Sequence, residues 1–146
     1  MVCLGNICRS PMAEGVLRFH IEHSGKKAIV DSAGTADFHI GEMPDYRAVK
    51  TLQSKGIDIS GLEARQFKKN DFDEFDFIYV MDTSNLQNVL ALARNHQDKN
   101  KVSLLLDALH PGMNKSVPDP YYGDISGFEE VYNLIDKASR EIINRL

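Results

Sequence analysis

Short apolar stretches rich in aromatic and β-branched residues alternate along this chain with longer stretches of helical spacing. The clearest predicted strand is 75–81, Phe-Asp-Phe-Ile-Tyr-Val-Met. The first helix is predicted to have Ser10 as N-cap, Pro11 as its first residue and Gly25 just past its end. Strands separated by helices predict a single α/β domain with a central four-stranded parallel twisted sheet and helices on both faces. The predicted strands are 1–3, 28–32, 75–81 and 102–106, and the predicted helices are 11–24, 44–55, a third that follows the capping residues 82–85, and a last one from about 128 to 146.

Length, charge and composition narrow the classes of function. The 146 residues contain no repeat or linker, so we expect one domain over residues 1–146. A net charge of −4 argues against a nucleic-acid partner, because binders of polyanions normally carry a basic excess. No apolar run approaches the roughly 20 residues that span a bilayer, and no signal peptide is visible, so we expect a cytoplasmic protein that does not bind membranes. The predicted strand at Met1 has three residues, whereas strands usually have about five to six. A loss of a few upstream residues would explain the difference.

The segment 3–10, Cys-Leu-Gly-Asn-Ile-Cys-Arg-Ser, connects the first strand to the first helix. Backbone N–H groups of such a loop can converge on an anion, Gly5 permits the turn, and the helix N-terminus adds positive potential. Arg9 can hold two oxygens of a phosphate at once. The alternative is a glycine turn that carries a buried cysteine and a surface arginine. The predicted phosphate-binding residues are Leu4, Gly5, Asn6, Ile7, Cys8, Arg9 and Ser10.

Cys3 stands at the carboxyl end of the predicted strand, where ligands bind in folds of this class. The surrounding N–H groups and Arg9 favour a thiolate, which predicts attack on phosphorus and a cysteinyl-phosphate intermediate. The Ser10 hydroxyl is predicted to donate to the sulfur as it leaves. Cys3 and Cys8 are the two cysteines of the chain and are too close in sequence for a stabilising disulfide, so reactivity explains them better. No histidine pairs with another histidine or a cysteine at metal-ligand spacing, so no metal and no cofactor is predicted.

A placed acid is predicted at Asp119, between Pro118 and Pro120. The prolines stiffen the backbone, and the neighbouring tyrosines can partly desolvate the carboxyl, which favours its protonated form. Asp119 would then protonate the leaving oxygen and later act as base for water. The residues alone fit an ordinary proline-punctuated surface turn equally well.

The stretch CLGNICRSPMAE resembles the signature loop of the low-molecular-weight protein tyrosine phosphatases. The likeness covers the whole chain and implies a cytoplasmic enzyme that hydrolyses phosphotyrosine and small aryl phosphates, with Cys3, Arg9 and Asp119 as catalytic residues. The expected partner is a phosphotyrosine protein, with a bacterial-type tyrosine kinase as a candidate, and the expected state is a monomer or weak homodimer. The other matching stretches are 31–34, 64–66, 81–85 and 119–123.

The same resemblance assigns supporting roles. Tyr121 and Tyr122 would form one wall of the substrate pocket and Phe38 another, although Phe38 could instead pack in the core. Asn6 would brace the loop with Ser32 and a histidine, but residues 57–63 contain no histidine, so the bracing is expected to differ here.

Cys8 would either pack behind the loop or capture an oxidised Cys3 as a disulfide.

Three alternative functions fit the sequence less well than tyrosine phosphatase activity. Arsenate reductases share the fold but need cysteines further downstream, and this chain has none after Cys8. Protein-arginine phosphatases tend to have threonine at the position of Ile7 and a less aromatic loop after the acid. Ile7 and the pair Tyr121 and Tyr122 therefore favour an aryl phosphate as the substrate. A phosphocarrier or binding module has no use for Arg9 together with Asp119.

Overall fold

Four short parallel strands form one central sheet in the computed structural model, which describes all residues from Met1 to Leu146. Their order across the sheet is β2-β1-β3-β4. Val2 pairs with Ala33 on one side and with Val80 on the other, so β1 is central. The predicted parallel α/β sheet is therefore confirmed. The strands are β1 Val2–Cys3, β2 Ala33–Gly34, β3 Ile78–Val80 and β4 Val102–Leu104.

Six α-helices and one 3₁₀ helix connect or follow these strands. Two of them, α3 and α5, have only four and five residues, too few for a sequence period to reveal. None of the helices combines the length and apolar composition needed to cross a bilayer. The helices are α1 Arg9–Ser24, α2 Tyr46–Gln53, α3 Asp71–Glu74, α4 Thr83–Leu90, α5 His96–Asn100, the 3₁₀ helix Leu105–Ala108 and α6 Ile125–Arg145.

Alternate side chains of each strand enter two separate cores. Val2 packs in a smaller cluster with Phe67 and Phe72, whereas the next residue, Cys3, belongs to a larger cluster with Met12 and Phe128. This division is what a sheet covered on both faces requires, since neighbouring side chains point to opposite sides. The nucleophile predicted from the sequence thus lies on the face covered by α1, α2 and α6.

Three local predictions are wrong. Helix α1 begins at Arg9, and Cys8 stands at its N-cap, so Ser10 lies inside the first turn with its hydroxyl directed to Cys3. The segment 28–32 is not a strand, because β1 pairs with the residues that follow it, Ala33 and Gly34. The last helix also begins earlier than predicted, since the Asp124 carboxylate accepts a hydrogen bond from the N–H of Ser126 and caps it.

Candidate active site

The loop between β1 and α1 presents unpaired N–H groups to a cavity. Those of Gly5, Ile7 and Cys8 make no hydrogen bond within the protein, and all three residues line the cavity. The carbonyls of Leu4 and Ile7 instead accept hydrogen bonds from neighbouring segments at 2.9 and 2.7 Å. Free N–H groups in one short loop whose carbonyls are engaged elsewhere can together form an anion-binding nest.

The left-handed residue of this loop is Asn6 and not the predicted Gly5. Asn6 has φ of 57°, a conformation that asparagine tolerates better than most residues. Gly5 has no positive φ, but a Cβ there would lie 3.0 Å from the His39 ring. Glycine is therefore favoured at position 5 by close packing.

Cys3 is 3% exposed at the carboxyl end of β1. Its Sγ lies 3.0 Å from the Ser10 hydroxyl and accepts a hydrogen bond from the N–H of Asn6 at 3.3 Å. An anionic sulfur in this position would accept from both groups. The Ser10 contact to sulfur that the sequence predicted is present.

A buried network of side chains braces the loop. The Asn6 amide donates to Ser10 Oγ at 2.7 Å and to Ser32 Oγ at 2.9 Å, and its oxygen accepts from the N–H of Arg65 at 3.0 Å. Ser32 Oγ donates in turn to Glu14 Oε1 at 2.7 Å. The expected contact between Asn6 and Ser32 is therefore present, and Glu14 with the Arg65 backbone completes the network without a histidine. Sequence reasoning missed Glu14, because nothing in a helical pattern marks one glutamate as buried.

Gly34 in β2 permits the loop to lie against the sheet. A Cβ at this position would lie 2.8 Å from the Leu4 carbonyl oxygen and 3.1 Å from the Asn6 nitrogen. Both are backbone atoms that cannot move without moving the loop, so only glycine fits.

Arg9 is 3% exposed and is held from behind by two acceptors. Its Nη1 donates to Asp82 Oδ2 at 2.7 Å and to the Val117 carbonyl at 3.1 Å. Neither Nε nor Nη2 makes a hydrogen bond, so both remain available to a ligand in the cavity. Asp82 also caps α4 by accepting from the N–H of Asn85 at 2.7 Å, so this carboxylate both begins a helix and orients the guanidinium.

Asp119 lines the same cavity from the loop that precedes α6. One of its oxygens is 3.6 Å from Arg9 Nη2, and the other accepts from the N–H of Tyr121 at 3.1 Å. Its side chain is 37% exposed, and Tyr122 is 91% exposed. The tyrosines therefore shield the carboxyl less than the sequence suggested.

The cavity at the loop has a volume of about 300 Å³ and brings together almost all the predicted site residues. Asn6, Ser10 and Ser32 lie behind it as buried support. Phe38 is 72% exposed, so its alternative role in the core is wrong. His39 also lines the cavity and pairs with Glu42; the sequence offered no signal for it. The lining residues are Cys3, Leu4, Gly5, Ile7, Cys8, Arg9, Phe38, His39, Asp119, Tyr121 and Tyr122.

Cys8 lines the same cavity and is 4% exposed. Burial, followed by the negative charge of Asp45, raises the pKa of the Cys8 thiol above its ordinary value. Both cysteines are unbridged in this structure. Cys8 is therefore a neutral thiol near neutral pH.

Comparison with known proteins gives one consistent result. The family model for the low molecular weight phosphotyrosine protein phosphatases matches residues 1–146. A phosphatase of this description from Schizosaccharomyces pombe is 44% identical, with 92% of this chain and 88% of the relative covered. A crystal structure of a protein tyrosine phosphatase from Entamoeba histolytica superimposes with a TM-score of 0.92 at 37% identity, over 99% of this chain and 92% of that one. Wzb from Vibrio vulnificus, solved with benzylphosphonate, gives a TM-score of 0.88 at 28% identity, over 99% of this chain and 95% of that one.

Proposed function

Because this chain belongs to the low molecular weight phosphotyrosine protein phosphatases, we propose that it hydrolyses phosphotyrosine and small aryl phosphates through a cysteinyl-phosphate intermediate on Cys3. The observation that carries this proposal is one cavity lined by a sulfur, a guanidinium and a carboxyl, those of Cys3, Arg9 and Asp119. The proposed enzyme is the single domain 1–146, and its substrate is a phosphotyrosyl protein, with a bacterial-type tyrosine kinase as a candidate.

In the first step the Cys3 thiolate attacks phosphorus, a sulfur–phosphorus bond forms, and the bond to the aryl oxygen breaks. Asp119 transfers its proton to that oxygen, so a phenol leaves. The free N–H groups of Gly5, Ile7 and Cys8 hold the equatorial oxygens together with Arg9. Arg9 approaches them with Nε and Nη2, because Asp82 and the Val117 carbonyl engage Nη1.

In the second step water attacks the phosphorus and the sulfur–phosphorus bond breaks. Asp119, now a carboxylate, takes the proton from the water. The Ser10 hydroxyl, 3.0 Å from the sulfur, stabilises the departing thiolate by a hydrogen bond. Phosphate and the free thiolate are the products, and the enzyme returns to its starting state.

The cavity rim supports a flat aromatic substrate. Phe38, Tyr121 and Tyr122 expose their rings around the opening, and the two tyrosines meet edge to face at 5.0 Å. Aromatic walls suit stacking on a phenyl ring. The bound benzylphosphonate of Vibrio vulnificus Wzb, an arylmethyl phosphonate, supports the same class of ligand.

Cys8 is proposed to protect the nucleophile from oxidation. If a peroxide oxidises the Cys3 thiolate to a sulfenic acid, the Cys8 thiol condenses with it to give a disulfide and water, and a thiol reductant then restores both cysteines. The two residues line one cavity, which supports this proposal. The raised pKa of Cys8 makes the condensation faster as pH rises.

The test is turnover of three matched peptides that carry phosphotyrosine, phosphoarginine or phosphoserine. We expect the phosphotyrosine peptide to be hydrolysed fastest, and a preference for phosphoarginine would show that the arginine phosphatase alternative is right. Cys3→Ser should reduce turnover by at least about 10⁴. Acid quenching of the wild type during turnover, followed by mass spectrometry, should reveal phosphate on Cys3. A Cys3→Ser variant that keeps substantial activity excludes the mechanism.

A further inference from the structure

One side chain, that of Arg47, supplies the hydrogen bonds that attach the loop carrying Asp119 to the rest of the protein. Arg47 lies at the start of α2, outside the cavity. Its Nη1 donates to the Gly123 carbonyl and its Nη2 to the Tyr121 carbonyl, each at 2.9 Å. These are the only hydrogen bonds that segment 119–123 receives from outside itself. The loop is also held by the 3.6 Å ion pair between Asp119 and Arg9, and by Pro120, which is buried and lies against Gly127 of α6.

The other edge of the same guanidinium is fixed to Asp45. Arg47 Nε and Nη2 each donate to an Asp45 oxygen at 3.0 Å, and these hydrogen bonds lower the pKa of that carboxyl. The N–H of Asp45 donates to the Ile7 carbonyl at 2.7 Å. Arg47 thus connects the Asp119 loop to the phosphate-binding loop through one intervening residue.

A buried ring supports the guanidinium. Its central carbon lies 4.6 Å from the centroid of the Phe128 ring, and Phe128 is fully buried in α6. The Tyr121 ring lies at 5.8 Å. A planar cation stacked on an immobile ring and bonded in its own plane has little freedom to move, and a lysine could not reproduce this arrangement.

We propose that Arg47 is a positioning residue for the acid step, which holds Asp119 where it can protonate the leaving oxygen. The inference rests on the proposed role of Asp119. Loss of Arg47 releases the loop and displaces the carboxyl, while the phosphate-binding loop keeps its own network. A displacement of about 1 Å costs on the order of 10²-fold in rate. The loss therefore grows with the basicity of the leaving group, as it does when the acid itself is removed.

The experiment compares wild type, Arg47→Met, Arg47→Lys, Asp119→Ala and the double variant of Arg47→Met with Asp119→Ala. The substrates are phenyl phosphate, which needs an acid, and p-nitrophenyl phosphate, which needs one much less. Arg47→Met should lose about 10- to 100-fold in kcat/KM on phenyl phosphate and much less on p-nitrophenyl phosphate. Arg47→Lys should fall between it and the wild type, which keeps the test valid if Arg47→Met folds poorly. In the Asp119→Ala background, Arg47→Met should cause almost no additional loss, since both changes remove one function.

Two controls separate positioning from general damage. Tyr46→Ala changes an exposed neighbour on the same helix turn and should leave both substrates unaffected. The affinity for vanadate should stay within about twofold of wild type in Arg47→Met, because the phosphate-binding loop is not altered.

An equal loss on both substrates, or full additivity with Asp119→Ala, would overturn the inference while leaving the role of Asp119 intact. If Asp119→Ala itself loses the same factor in kcat/KM on both substrates, Asp119 is not the acid. That result would refute the role of Asp119 and, with it, the inference about Arg47.

Discussion

The proposed phosphate-binding loop, residues 3–10, and the Asp119 loop, residues 119–123, face the same cavity but are built in opposite ways. Cys3, Arg9 and Ser10 are each at most 3% exposed, and their loop is braced by the side chains of Asn6 and Ser32. In the Asp119 loop the carboxyl is 37% exposed, and the hydrogen bonds that attach the loop to the rest of the protein come from the Arg47 side chain. The phosphoryl group is the same in every substrate, so its binding site can be rigid. Leaving groups differ in size and basicity, and the loop that meets them lies at the surface.

Arg9→Lys, in the rigid loop of residues 3–10, should cause the largest loss of activity. The variant keeps the charge, but one ammonium cannot bind Asp82 and the Val117 carbonyl while it also holds two phosphate oxygens. We expect kcat/KM for p-nitrophenyl phosphate to fall by at least about 10³. Arg140→Lys, on the exposed surface of α6, is the matched control and should retain full activity. Should Arg9→Lys keep more than a tenth of the activity, the contrast between the two loops would lose its basis.

Asp119→Ala, in the exposed Asp119 loop, should cause the second largest loss of activity. We expect a loss of about 10²–10⁴ in kcat/KM for phenyl phosphate, because this ratio reports the step in which the acid protonates the leaving oxygen. The loss with p-nitrophenyl phosphate should be clearly smaller. Steady-state rates across a series of substituted phenyl phosphates measure this difference, and a uniform loss along the series contradicts the assignment.

Gly34→Ala tests how far rigidity in the first loop depends on contact with the sheet. The new Cβ would overlap the Leu4 carbonyl at 2.8 Å, so the loop must shift. We expect the free energy of unfolding to fall by about 1–3 kcal/mol and kcat/KM to fall at least about tenfold.

Gly61→Ala is its control, because nothing lies within 4 Å of a Cβ at that position. Urea denaturation and turnover of p-nitrophenyl phosphate measure both effects. Equal behaviour of the two variants would show that the loop tolerates displacement.

The smallest effect concerns the thiol of Cys8, which belongs to the rigid loop. Folding raises its pKa above the ordinary value of 9.0, so the unfolded chain loses this proton first as pH rises. The free energy of unfolding therefore contains a contribution that is complete below pH 9 and declines above it, by up to about 1.4 kcal/mol per pH unit.

Urea denaturation at pH 8 and pH 10 should show a larger decline for wild type than for Cys8→Ala. Parallel declines would mean that the buried thiol is not responsible.

The sequence predicted the parts of this protein that depend on local spacing. The strand, loop and helix around Cys3 are contiguous, so their chemistry could be inferred from residues 3–10. Pairing across the sheet is a long-range property, and for that reason the strand expected at 28–32 is in fact at Ala33–Gly34. The sequence predicts Ser10 as a cap because serine caps helices, whereas in the structure its hydroxyl contacts the Cys3 sulfur and accepts a hydrogen bond from the Asn6 amide.

Contacts between distant segments explain the remaining differences. Glu14 contacts Ser32, and Arg47 contacts the Tyr121 carbonyl, only because the tertiary fold brings distant segments together. The residues next to Glu14 and Arg47 in sequence do not reveal these contacts. The same holds for the exposure of Asp119, since tyrosines next to it in sequence were expected to cover it and turn outward instead.

The pairing of Arg9 with Asp82 bears on how the enzyme clears its product. The guanidinium that would grip inorganic phosphate already shares its charge with a carboxylate 2.7 Å away, so the attraction it exerts on a released dianion is moderated. An uncompensated arginine buried at this depth would retain phosphate between cycles and inhibit the next one. We therefore expect that the carboxylate of Asp82 favours release of phosphate at the end of each cycle.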